Sequence, residues 1–173
     1  DQYERGHDLS DNEWDALFNC LYHASASIQL RAALIVSDGP PDIIDRLLNE
    51  FHQLAPALQK QCSAFLMTST IAKPYIFLLD MLDKSIDADI ADFITQSLGR
   101  AQYFIFPLLL VRLDHPNPDY VERIKSIIAN QGFHTIKPAL SLFPRIPHED
   151  VFRDIFGHES INSLSNDSPH SPS

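Results

Sequence analysis

Eight histidines and two cysteines give this chain its widest chemical repertoire, and their spacing decides what they could do. No two histidines stand four residues apart, the spacing that puts two imidazoles on one helical face to grip zinc beside a glutamate. His148-Glu149 and His158-Glu159 each join an imidazole to a carboxylate, with solvated polar residues as the simpler reading. Asp114-His115 opens the turn Asp114-His-Pro-Asn-Pro118, where it fits either an acid–base pair or an aspartate bonded to its own backbone. Cys20 and His23, three apart, fit a nucleophile with its base or two packed side chains. The five glycines are isolated, so no phosphate-cradling loop is present, and no Gly-x-Ser-x-Gly elbow occurs. We therefore expect no catalytic residues, no metal and no cofactor. A small metal-dependent enzyme or metal carrier using His115, His134 or His148 is the alternative, and metal analysis of purified protein separates the two.

Charge narrows the choice of partner. The chain has 13 basic and 23 acidic residues, a net charge of −10. Such a balance repels phosphate backbones and leaves little counterion release to drive nucleic-acid binding. Between residues 80 and 92 stand Asp80, Asp83, Asp87, Asp89 and Asp92 against a single Lys84. Two readings fit: solubility with helix capping, since acids in a first turn suit the helix dipole, or a ridge that docks a basic segment. The second makes these five residues the candidate partner-binding site.

The positions of these groups depend on helices. Every apolar segment long enough to judge repeats at helical spacing and none alternates. Residues 10–13, Ser-Asp-Asn-Glu, have capping-box spacing, and Trp14, Leu17, Phe18, Leu21 and Tyr22 follow as one stripe. The next helix is expected to bury Ile28, Ala32 and Ile35 and to end at Asp38-Gly39-Pro40. Pro41, Pro56 and Pro74 suit first helical turns, where a missing N–H has no partner to lose. Asp87 is placed to cap a sixth helix, and Asn117-Pro118 to open an eighth. A ninth uses Phe133, Ile136, Leu140 and Phe143, and a tenth runs from about His148 to Phe156. The stretch from Tyr103 to Leu113 is apolar on every side, too short for the ~20 residues of a membrane span. It reads as a buried central helix kinked at Pro107. Residues 10–157 form one domain in this reading, and 158–173 a polar, flexible tail. Cys20 and Cys62 lie among apolar neighbours and read as free thiols, which suggests a reducing, cytoplasmic setting. The chain opens on Asp1 rather than Met, which is compatible with removal of an upstream targeting segment.

Pro41-Asp-Ile-Ile-Asp-Arg-Leu47 and Pro118-Asp-Tyr-Val-Glu-Arg-Ile124 align without a gap at a separation of 118 − 41 = 77 residues. Half of that is close to a repeat of about 40 residues with two helices, the unit of helical solenoids. On these residues the chain resembles the HEAT and armadillo families over about 10–156. The resemblance implies an all-α fold of about ten antiparallel helices stacked as a short solenoid, with an irregular helical bundle as the alternative. The His-Glu dipeptides resemble those of HEAT-like di-iron hydroxylases, which would need four such pairs. Small acidic helical proteins without catalytic motifs also resemble bacterial secretion chaperones and coupling-complex adaptors. The function expected is therefore a non-catalytic adaptor or scaffold subunit that binds a peptide or helix of another protein.

Overall fold

The computed structural model describes residues 9–84 and 86–166, and within them all regular structure is helical. Eleven α-helices follow in order: α1 Asp11–Cys20, α2 Ala26–Ser37, α3 Pro41–Glu50, α4 Pro56–Leu66, α5 Lys73–Met81, α6 Ala88–Gly99, α7 Phe106–Arg112, α8 Pro118–Gln131, α9 Phe133–Leu140, α10 Glu149–Phe156 and α11 His158–Asn166. Short 3₁₀ turns at Phe51–Gln53 and Tyr103–Ile105 follow α3 and precede α7. The single domain expected over 10–157 divides into two compact units, with the boundary between Ser97 and Leu98 near the end of α6. The polar ends at 1–8 and 167–173 lie outside the described residues.

In the first unit, local chemistry sets each helix start. Ser10 Oγ accepts from Glu13 N–H at 3.2 Å while Glu13 Oε1 accepts from Ser10 N–H at 3.2 Å, so α1 opens with the reciprocal cap its sequence predicts. Trp14, Phe18 and Leu21 are buried, but Tyr22 leaves the stripe and is exposed. α3 and α4 each begin on a proline in the first turn. Gln59, buried on α4, donates to the carbonyls of Phe51 at 3.1 Å and Leu54 at 3.2 Å, which ties α4 to the end of the 3₁₀ turn. The Arg46 guanidinium lies 4.0 Å above the Phe18 ring and reaches Asp15 at 2.6 Å, tying α3 to α1. Lys73 pairs with Asp45 at 2.6 Å, tying α5 to α3.

α2 buries Ala32 as expected but is turned about its axis from the expected facing. It packs on α1, α3 and α4 through Ala32, Ala33, Val36 and Ser37. Ile28 and Ile35, expected in the core, are exposed together with Leu30 and Leu34. Small inward side chains let neighbouring backbones approach closely, and the larger aliphatic groups are left on the outside.

The second unit corrects the reading of residues 103–113. Pro107 falls in the first turn of α7 rather than in mid-helix, where it leaves no broken hydrogen bond and no kink. Ile105, Phe106, Leu109 and Leu113 are buried, whereas Val111 is 70% exposed, so the segment is not apolar cargo on all sides. Asn117 Oδ1 accepts from Asp119 N–H at 3.0 Å and Pro118 stands at N1, the predicted opening of α8. α9 ends at Leu140, two residues beyond the internal Pro138, so Phe143 lies past the helix and is exposed. Residues 158–166, expected as tail, form α11 instead: Ile161 is 2% and Leu164 8% exposed, and the helix packs on α10 and α9.

The offset of 77 residues found in the sequence reaches well beyond α3 and α8. It links the first residues of α1 and α6, of α2 and the 3₁₀ turn before α7, of α3 and α8, and of α4 and α9.

Candidate interaction surfaces

The five aspartates of the sequence-predicted ridge are all exposed, but the structure gives two of them local work. Asp87 Oδ1 accepts from Asp89 N–H at 2.9 Å and Ile90 N–H at 3.4 Å, the cap expected for α6. Asp89 forms an ion pair with Lys60 of α4. Asp80, Asp83 and Asp92 also take part in interactions within the protein. Composition found the cluster but could not show that cap and ion pair already engage part of it. Replacing Asp87 by alanine is expected to lower stability by about 1 kcal/mol, the usual value of an N-cap. Urea denaturation measures this, and an unchanged midpoint would show that the cap contributes nothing.

The histidine motifs separate in space. Asp114 turns away from His115, and its Oδ1 stands 3.2 Å from His148 Nε2. His115 Nδ1 accepts from Asn117 N–H at 3.1 Å, and its ring lies 4.5 Å, centroid to centroid, from that of Tyr120. Glu149 turns to Arg153 at 3.1 Å, and Arg153 also bonds Asn162 Oδ1 at 2.9 Å and approaches His158 Nδ1 at 3.3 Å. The His-Glu dipeptides are thus drawn into contacts around the start of α10 and between α10 and α11. His134 is exposed on α9, and His23 Nδ1 accepts from Ser25 N–H at 2.9 Å. Among the described residues no group of three or more His, Cys, Asp or Glu side chains is arranged to hold a metal ion. No described helix is long and apolar enough to cross a membrane.

Both cysteines are free thiols. Burial pushes the Cys62 thiol up to about 12, and the Ser37 hydroxyl beside it works in the opposite direction. The folded thiol keeps its proton above its ordinary value of 9.0, so stability contributed by this group is complete below about pH 9 and is lost as pH climbs toward 12. Cys62 is a packed core residue with no accessible thiolate. Alkylation of the native protein near pH 8 should therefore mark Cys20, which is partly exposed, and spare Cys62 until denaturant is added. Peptide mass spectrometry reads the result, and native labelling of Cys62 would contradict its burial.

The most distinctive surface is the outer side of α2. Ile28, Leu30, Leu34 and Ile35 are between 36% and 42% exposed, interspersed with Ser27 and Arg31. Sequence periodicity missed this face because α2 is apolar nearly all round, and periodicity cannot say which side faces inward. The abundance of alanine and serine opposite the large side chains was the available signal. Exposed apolar residues recur in the second unit as Val111, Leu142 and Phe143, and Val111 stands 77 residues after Leu34. No protein-family model, curated protein or solved structure matches the chain.

Proposed function

We propose that this chain is a non-catalytic protein-interaction module, an adaptor or scaffold subunit whose docking face is the outer side of α2. The observation that carries the reading is the facing of α2, with Ala32, Ala33 and Val36 packed inward and Ile28, Leu30, Leu34 and Ile35 presented to solvent. Scattered single apolar residues on a surface need no explanation, whereas four on one helical face form a patch of the kind used for association. An amphipathic helix is the partner that such a face accommodates, because it can set its own apolar stripe along the row.

The 77-residue offset supports a repeated helical architecture of HEAT-like type as the frame for this face. Asp15 and Arg46 recur at the same offset as Asp92 and Arg123, in addition to the paired prolines 41 and 118. Solenoid repeats characteristically offer extended surfaces to other chains. In this reading the exposed aspartates at 80–92 speed encounter with a basic segment, so Asp83→Lys should slow association more at low salt than at high.

A photo-crosslinking side chain at position 34 tests the docking face. A protein adduct is expected from position 34 and not from the buried position 33. Absence of any adduct in cells that express the folded protein would overturn the reading.

A further inference from the structure

We infer that the partner of the α2 face is α2 of a second copy of this chain, packed antiparallel about a twofold axis. This rests on the reading of α2 as a docking face. The argument comes from its two charges. Arg31 and Asp38 are exposed, and neither has an ion-pair partner among the described residues. They are seven residues apart, about 10.5 Å along the axis, and a straight helix drifts by only ~20° over that interval. The two charges therefore sit on one line of the outer face, and Leu34 and Ile35 lie between them on either side of that line.

Such a line is self-complementary under a twofold operation. With the axis between Leu34 and Ile35, Arg31 of one copy meets Asp38 of the other, and the second contact repeats the first with the copies exchanged. Leu34 of each copy then lies against Ile35 of the other, at the centre of the contact. A parallel pairing would instead set like charges opposite each other at both positions.

The helix dipole points the same way. Asp38 is at the C-cap of α2, where the dipole disfavours an acid, and the last turn of α2 has no basic residue. An antiparallel neighbour brings Arg31 to that spot. Two three-turn helices alone cover well under the ~800 Å² per partner of a standard interface, so the association is concentration-dependent rather than permanent.

The test is sedimentation velocity of the full chain over a wide concentration range, with Arg31→Asp, with Asp38→Arg, and with the two variants mixed. Wild type should self-associate. Each single reversal sets like charges face to face at both contacts and should weaken association by about tenfold or more. In an equimolar mixture each contact again has one charge of each sign, and association should return to near the wild-type level. Both residues are exposed and have no ion-pair partner among the described residues, so unchanged circular dichroism is expected for each variant. Reversals that leave association unaltered, or a mixture that stays as weak as its components, would overturn the antiparallel pairing. A wild type that remains monomeric while the crosslinker at position 34 captures a different protein would overturn the second copy and leave the docking face standing. A monomer with no adduct at all would overturn both.

Discussion

Replacing Phe152 by alanine is expected to lower stability by about 3–5 kcal/mol, the range for removing a fully buried aromatic ring. Phe152 has no exposed surface, and its ring centroid lies 5.9 Å from that of Phe106. α10 is short, and Phe152 is its one buried residue, while α8 and α11 both pack against this helix. The neighbours cannot easily collapse into the gap, because Phe106 is fixed at the start of α7 behind Pro107. Hydrogen exchange of the α8 and α10 amides gives the loss for this part of the chain. A value below about 1 kcal/mol would mean that α11 slides inward to fill the space.

Ending the chain after Gly157 should have a comparable effect. The polar composition of 158–173 suggests that the melting temperature would hardly change, but the structure overturns that expectation. Ile161 and Leu164 are buried, and burial of such side chains contributes about 1.5–3 kcal/mol each. Their removal also uncovers apolar side chains on α9 and α10. A loss of at least about 3 kcal/mol is expected, read by thermal and urea denaturation of the truncated and full chains. An unchanged melting temperature would place the end of the folded region back at residue 157.

The helix starts were legible because their signals are local. Ser10 with Glu13, Pro41, Pro56, Asp87 and Asn117 with Pro118 each act within one turn of backbone, and each sits where its chemistry requires. Facing was harder to read, since it depends on neighbours distant in sequence. α2 offers apolar groups on nearly every side, and the close approach of α1, α3 and α4 selects the small ones for the interior. α11 was hidden for the opposite reason: two apolar residues among Ser, Asn and Glu make a weak stripe, which counts only once the chain turns at Gly157 and lays it on α9 and α10. The candidate site follows the same division. The aspartate cluster is plain in composition, but the ion pair of Asp89 with Lys60 joins residues far apart in the chain. The α2 face became visible only with the burial of its other side.

Two joints in the second unit have a consequence for how the protein can be cut. Gly132 and Gly157 adopt nearly the same backbone, φ 84° with ψ 154° and φ 89° with ψ 157°, a region open essentially to glycine alone. Each closes one helix and leads at once into the next, so α8–α9 and α10–α11 are joined by a single residue. A protease must thread several residues in extended form through its cleft, and neither joint can supply them without unwinding a turn on each side. The connection over 141–148 has no such protection, and Arg145 is exposed within it. Limited trypsin digestion of this half should begin at Arg145 and separate α10–α11 from the chain that ends with α9, with both glycine corners intact.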